Sequence, residues 1–131
     1  MQYLLDTHTL LWFLQDDPQL PKKISSRIRN IENNCFVSIA SLWEIAIKIK
    51  LGKLSIKFPF ERFAVYLADN DLEVLAISFD HISQVLNLDM LHRDPFDRII
   101  IAQGITEDLT ILTRDEHFDT LCLYSLKSLF C

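Results

Sequence analysis

Residues 3–14 read YLLDTHTLLWFL, and this stretch contains both kinds of element from which the rest of the chain is built. Tyr3-Leu4-Leu5 is a short apolar run, typical of a buried strand, and it stops at Asp6. Apolar residues then recur at helical spacing from Thr7 to Leu14. The stretch therefore predicts a strand, an acidic residue at its carboxyl end and a helix.

The same alternation continues along the chain. Further strands are predicted at 35–38, 72–77 and 109–113, with a fifth expected at 122–124, and further helices at 22–30, 41–51, 59–67, 79–88 and 95–106. Gly52 stands where a glycine commonly follows the last turn of a helix, and Asp94-Pro95 has the cap residue and first-turn proline of a helix start. The pattern favours an α/β sandwich: a central parallel sheet of four to five short strands with helices on both faces.

Composition limits the classes of protein to consider. The 131 residues, half of them hydrophobic, fit one globular domain spanning 1–131. The amino terminus lacks the basic start of a signal peptide, and no apolar run approaches the ~20 residues of a membrane span. Three scattered cysteines, Cys35, Cys122 and Cys131, indicate reduced thiols in a cytoplasmic protein. A net charge of −5 argues against nucleic-acid binding by a broad basic face.

Two acids follow predicted strands. Asp6 ends the first strand, and Asp115 comes shortly after the strand at 109–113. Ligands of parallel sheets bind beyond the carboxyl ends of the strands, so both acids are expected at the active edge. Each has a structural alternative as a helix cap. For Asp6 that alternative is weakened because Thr7 is an equally good cap and leaves Asp6 free.

Two further acids lie on helices. Glu44 belongs to an otherwise apolar run, LWEIAI, where burying an acid requires a partner or a metal ion. Its structural alternative is an i,i+4 ion pair with Lys48, worth only ~0.2–0.5 kcal/mol. Asp97 follows the cap Asp94 by three residues, where an acid also favours the helix dipole. Together the four acids predict an all-oxygen site for Mg²⁺ or Mn²⁺, ions that can drive phosphodiester hydrolysis.

The remaining chemistry-bearing residue types give no competing site. The four histidines, at positions 8, 81, 92 and 117, have no zinc-binding spacing, and they are expected at the surface or in packing roles. His92 has a second option near the acids. Trp12 and Trp43 are expected in the core. No glycine-rich phosphate loop and no nucleophilic serine or cysteine signature is present.

Four segments resemble the PIN domain, and more narrowly the VapC-type toxins of bacterial toxin–antitoxin pairs. They are LLDTH at 4–8, SIASLWEI at 38–45, HRDPFDR at 92–98 with the following IIIAQ, and LTRD at 112–115. The segments occur in the family's order and span nearly the whole chain. Gly104 departs from the alanine usual after IAQ, at an expected ~1 kcal/mol for a glycine inside a helix.

The resemblance implies a PIN-like α/β/α sandwich and a Mg²⁺- or Mn²⁺-dependent endoribonuclease. Asp6, Glu44, Asp97 and Asp115 match the family's acidic positions, as metal ligands and catalytic residues. Residues expected to contact substrate are Thr7, Arg93, Arg98, Thr113 and Arg114. Asp94 is assigned to capping, with a metal contact through water as a lesser option. RNA is the implied substrate, a cognate antitoxin the implied partner, and a homodimer the implied assembly.

The lysines of KIKLGKLSIK, at positions 48, 50, 53 and 57, admit two interpretations. Together with the arginines near the acids they form a basic rim that holds RNA despite the negative total charge. Alternatively, they are the ordinary solvated end of a helix, where lysines suit the dipole.

Two other functions stay open. A receiver-like signalling domain is also small, acidic and Mg²⁺-binding. Its chemistry requires paired acids after the first strand, and only Asp6 stands there in this chain. Asp80 is its sole candidate phosphoacceptor, and Lys127 matches the required spacing poorly. The other alternative is a catalytically inactive PIN-like binding module, which the presence of all four acids does not favour.

Overall fold

Four short strands and the helices between them make up the residues that the structure, a computed structural model, describes: 1–88 and 94–113. The strands are β1 (Gln2–Leu5), β2 (Asn34–Ser38), β3 (Leu72–Leu75) and β4 (Thr110–Leu112). The α-helices are α1 (Thr7–Leu14), α2 (Lys22–Arg29), α3 (Ile39–Lys50), α4 (Phe63–Asp69), α5 (Phe79–Val85) and α6 (Pro95–Thr106), and a 3₁₀ turn covers Phe60–Arg62.

The strands form one parallel sheet in the order β3-β2-β1-β4. Leu5 of β1 pairs with Val37 on one side and with Leu112 on the other. The chain thus builds outward from β1 through β2 to β3 and then returns to place β4 on the opposite side of β1. The crevice between β1 and β4 is therefore a topological switch point, where ligands of such sheets bind.

A hydrophobic cluster covers each face of the sheet. Tyr3 and Leu5 of β1 face one cluster, with buried residues of α1 to α4, while Leu4 faces the other, with Ile100 and Ile101 of α6. Successive strand residues point to opposite faces, so β1 contributes to both clusters. This arrangement confirms the predicted α/β sandwich with a parallel sheet.

Most predicted elements are present, with shifted ends. Helix α3 begins at Ile39 rather than Ser41, because the Ser38 side chain accepts a hydrogen bond from the Ala40 N–H and caps it. The helix predicted from Pro59 is instead a 3₁₀ turn followed by α4, and β3 and α5 end before their predicted limits. Gly52 has the expected left-handed backbone, φ 73°. The strand predicted at 122–124 lies outside the described residues.

None of the helices within 1–88 and 94–113 has the length and apolar character needed to cross a membrane.

Candidate active site

Asp6 lies at the switch point, where β1 gives way to α1. Its Oδ1 accepts a hydrogen bond of 2.8 Å from the Thr9 N–H, and its Oδ2 accepts one from the Thr113 hydroxyl, just beyond β4. Only 4% of Asp6 is exposed. Burial raises the pKa of this carboxyl above its usual value of 3.8, although the hydrogen bonds from Thr113 and Thr9 partly oppose the shift.

Of the two residues that the sequence offers as the cap of α1, Asp6 and Thr7, the structure has Asp6 in that position. Asp6 itself is the cap: its backbone is extended, with φ −77° and ψ 172°, while Thr7 is already the first helical residue. An extended backbone lets the cap side chain turn back onto the helix's first N–H groups. The carboxylate is therefore held in a fixed orientation by both the helix and β4.

The Thr7 hydroxyl connects the end of β1 to Glu44 on α3. Its oxygen is 2.7 Å from Oε1 of Glu44 and 3.0 Å from Oγ of Ser41. Because a carboxylate only accepts, Thr7 gives its single hydroxyl hydrogen to Glu44, and Ser41 supplies the hydrogen for the second contact. Asp6 and Glu44 thus lie at the same edge of the sheet. Thr7 connects them, because it follows Asp6 directly in the chain and its hydroxyl donates a hydrogen bond to Glu44.

Glu44 is buried, with 3% of the residue exposed. The expected i,i+4 pair with Lys48 is present, and the ammonium nitrogen lies 2.6 Å from Oε2. Both oxygens of Glu44 therefore have a donor: a neutral hydroxyl on Oε1 and a cation on Oε2. The structural alternative for Glu44 is therefore present, on a residue that is also a candidate metal ligand.

The first turn of α6 brings Asp97 toward α3. Asp94 caps this helix, since its Oδ1 accepts from the N–H groups of Phe96 at 2.8 Å and Asp97 at 3.4 Å. Phe96 packs edge-on against Trp43, with ring centroids 5.3 Å apart. These aromatic residues precede Asp97 and Glu44 directly, so the helices that carry the two acids meet at this end. Asp97 and Arg98 are both half-buried.

Several predicted site residues lie outside the described part of the chain: Arg93, Arg114, Asp115 and the optional His92. Among residues 1–88 and 94–113, no three His, Cys, Asp or Glu side chains form a group that could hold a metal ion. The donor chemistry still fits a hard divalent cation, because Asp6 and Glu44 offer oxygen ligands whose burial disfavours an uncompensated charge. Asp115 follows Thr113, which contacts Asp6, by two positions.

The expectation for Trp43 needs revision, whereas that for His81 does not. Trp43 was expected in the core, yet 61% of it is exposed, beside the start of α6. His81 has the expected packing role, and its Nδ1 accepts from the Ser78 N–H at 3.0 Å while its Nε2 is 3.3 Å from Glu107. Ser41 was missed altogether. Its position one helical turn before Glu44, on the same helix face, is the signal that could have found it.

Comparison with known proteins identifies the family of this chain. The PIN-domain family model matches residues 3–122. The chain belongs to the PIN-domain family. PIN-domain toxins are nucleases, and PIN nucleases generally use divalent metal ions.

Three solved structures share the fold at low sequence identity. A chain of the VapBC2 complex of Rickettsia felis, bound to a promoter DNA fragment, is 20% identical, with 92% of each chain covered and a TM-score of 0.67. A chain of VapBC-1 from nontypeable Haemophilus influenzae is 18% identical. The match covers 95% of the present chain and 96% of the Haemophilus chain, with a TM-score of 0.69. A chain of a toxin–antitoxin complex from Klebsiella pneumoniae is 18% identical, with 86% of each chain covered and a TM-score of 0.56. Among curated proteins, none matches in sequence.

Proposed function

We propose that this PIN-domain chain is a Mg²⁺- or Mn²⁺-dependent endoribonuclease, the VapC-type toxin of a toxin–antitoxin pair, acting in the cytoplasm as one domain over residues 1–131. The observation that carries the proposal is the pair of buried carboxylates, Asp6 and Glu44, connected through Thr7 at the switch point. Two buried acids at the edge where ligands of parallel sheets bind offer the oxygen ligands that a hard divalent ion requires.

The proposed site consists of four acids that hold the ion and of residues that orient those acids. Asp6, Glu44, Asp97 and Asp115 would hold the ion, which when bound activates a water and stabilises the leaving oxygen of a phosphodiester. Thr9 and Thr113 hold Asp6, and Thr7 holds Glu44, so two carboxylates are oriented before any ion arrives. Such preorganisation lowers the entropic cost of assembling the site.

RNA is the proposed substrate, despite the net charge of −5. Lys50, Lys53 and Lys57 are exposed near the end of α3, where they can contact phosphates without occupying the acidic centre. Arg93, Arg98 and Arg114 neighbour the acids in the sequence and are proposed to contact the RNA backbone. Thr7 and Thr113 are proposed to contact the substrate next to the acids. A basic rim around an ion-filled centre resolves the conflict with the total charge.

RNA cleavage by the purified full-length chain tests the proposal. The assay compares Mg²⁺, Mn²⁺ and EDTA, and it compares the wild type with Asp6→Asn, Glu44→Gln, Asp97→Asn and Asp115→Asn. Asp80→Asn is the matched control, because Asp80 lies in the first turn of α5, as Asp97 does in α6, but is exposed and far from the proposed ligands in sequence. We expect metal-dependent cutting that the four site variants lose and the control keeps. Activity that persists in EDTA or in Asp97→Asn would contradict the proposal.

A protein partner is the second part of the proposal. Trp43, Ile82, Phe96 and Ile99 border an apolar groove of about 230 Å³, and Trp43 and Phe96 directly precede two of the proposed catalytic acids. A partner bound there would cover the groove and reach the acidic centre. We propose the cognate antitoxin as the occupant, supported by the toxin–antitoxin complexes among the structural neighbours.

The partner proposal is tested with Trp43→Ser. We expect the neighbour-encoded antitoxin, purified separately, to suppress cleavage and to bind the variant roughly 30-fold or more weakly, as for a central aromatic anchor. A homodimer is also expected of this chain. If light scattering shows that Trp43→Ser turns a dimer into a monomer while antitoxin affinity is unchanged, the groove belongs to a second copy.

The receiver-like alternative is not favoured by the sheet. In a receiver the phosphoacceptor strand lies beside the first strand, whereas here β1 lies between β2 and β4 and the exposed Asp80 lies on α5, after the edge strand β3. An inactive binding module remains the competitor. It gains support if the wild type binds no Mn²⁺.

A further inference from the structure

The ammonium group of Lys48 lies directly on the inner carboxylate of the candidate site. Its nitrogen is 2.6 Å from Oε2 of Glu44, whose side chain is 4% exposed, while the Lys48 side chain is 38% exposed. Most i,i+4 pairs on a helix join two solvated groups. This pair joins a buried acid to a cation at the boundary with solvent.

Burial makes a positive partner necessary for Glu44, because an ionised carboxylate removed from water is strongly destabilised unless its charge is compensated. The Thr7 hydroxyl satisfies one hydrogen-bonding position on Oε1, yet it is neutral and cannot balance the charge. Lys48 supplies that charge. A divalent ion would supply it too, by direct contact with the same carboxylate.

We propose that Lys48 is a tethered cation: it neutralises Glu44 while no metal ion is bound, and it lowers the affinity of the site for divalent ions by competing for Oε2. The inference rests on the proposed function, because it requires Glu44 to be a metal ligand. Lys48 acts through Glu44 and is a positioning residue. Its flexible four-carbon stem lets the ammonium turn to solvent without any movement of α3.

A purely structural ion pair makes a different prediction. Removing it would lower the melting temperature of the metal-free chain but would not strengthen metal binding. A tethered cation predicts both changes together, because the same charge that stabilises the empty site opposes the incoming ion. The affinity of the metal-free protein for Mn²⁺ therefore separates the two roles.

The experiment is calorimetric titration of the metal-free full chain with Mn²⁺, together with melting curves recorded without metal. Lys48→Met and Lys48→Gln remove the charge, and Lys48→Gln can still donate a hydrogen bond to Glu44. Lys48→Arg keeps the charge, and Lys50→Met is the matched control on an exposed lysine of the same helix. We expect both neutral variants to melt at a lower temperature and to bind Mn²⁺ about tenfold more tightly. Lys48→Arg and Lys50→Met should resemble the wild type in both melting temperature and Mn²⁺ affinity.

Unchanged or weaker Mn²⁺ binding by Lys48→Gln would overturn the tethered-cation proposal, whatever happens to the melting temperature. If Lys48→Met does not fold, Lys48→Gln decides. Glu44→Gln separates this proposal from the proposed function. If the wild type binds Mn²⁺ and Glu44→Gln does not, the metal site stands and the Lys48 variants test the tethered cation alone. A wild type that binds no Mn²⁺ would overturn both.

Discussion

The Thr113 hydroxyl donates a hydrogen bond to Oδ2 of Asp6, across the crevice where the order of the strands reverses. The backbone repeats the connection, because the Asp6 N–H donates to the carbonyl oxygen of Leu112 at 3.2 Å. The ends of β1 and β4 are therefore fixed to one another at the point where the candidate site begins. Four predictions follow from this edge of the sheet and the core beneath it.

Replacing Asp6 with asparagine should stabilise the metal-free protein at neutral pH while abolishing activity. Burial raises the pKa of Asp6 in the folded chain, so the folded state holds this proton more tightly than the unfolded state. The wild type therefore loses stability as the pH rises above the ordinary value of 3.8, and the loss is complete above the folded pKa. Asparagine keeps the cap and has no charge to bury.

Melting curves of wild type and Asp6→Asn, recorded from acid to neutral pH without metal, provide the measurement. A gain of ~1 kcal/mol would raise the melting temperature by roughly 3–6 °C in a domain of this size. The difference should disappear toward acid pH, where Asp6 is protonated in both states. A variant that is less stable than the wild type at neutral pH would show that the charge of Asp6 is already compensated in the metal-free chain.

Thr113→Val should weaken the site without removing a proposed ligand. Valine has nearly the shape of threonine but no hydroxyl, so Oδ2 of Asp6 loses its donor. A lost hydrogen bond to a buried group costs about 1–3 kcal/mol, and supports of metal ligands typically change metal affinity or activity ~10–100-fold. The measurements are Mn²⁺ affinity and cleavage rate, with Thr110→Val, on the strand that precedes Thr113, as the control. Equal losses in both variants would indicate general damage to β4.

Two threonines of α1 should respond in opposite ways to the same substitution. Thr7→Val removes the donor to Glu44 and should destabilise the protein by about 1–3 kcal/mol. The Thr9 hydroxyl is fully buried and has no hydrogen-bond partner among the described residues, so Thr9→Val should be neutral or stabilising. Urea unfolding of the metal-free variants measures both. Similar destabilisation by the two substitutions would contradict the assigned role of Thr7.

Cys35 should resist alkylation in the folded protein. It is buried in β2, and burial raises the pKa of its thiol to about 11. At pH 8 only about a thousandth of such a thiol is ionised, and the thiolate is the reactive form. Peptide mass spectrometry after iodoacetamide treatment should find Cys35 unmodified until denaturant is added. Rapid labelling of the native chain would mean that β2 opens readily to solvent.

The alternation of apolar strands and helices was enough to predict the sandwich, because both faces of each strand had to be covered. The sequence pattern could not resolve which neighbouring polar residue caps α1, since Asp6 and Thr7 are both good caps and only the backbone angles decide between them. The prediction that Trp43 lies in the core failed for a related reason. Apolar periodicity does not reveal whether the covering surface belongs to the same chain or to another.

Gly104 illustrates a further limit of the sequence. It was treated as a cost in the middle of a helix, but a Cβ at this position would lie 3.0 Å from Cδ1 and Cγ1 of Ile111 on β4. The glycine therefore allows α6 to approach the sheet closely. A contact between residues on different elements has no signature in local spacing. The same is true of the hydrogen bond between Asp6 and Thr113.

The position of β4 also has a consequence for how the protein is made. Asp6 and Thr113 are separated by 107 positions, and a ribosome releases the amino terminus first. While the earlier strands can already pair, one edge of β1 stays open and Asp6 lacks its Thr113 donor until residues 110–113 have emerged. Closure of so long a loop is among the slower steps of folding. The architecture itself thus delays completion of this edge of the sheet until long after Asp6 has left the ribosome.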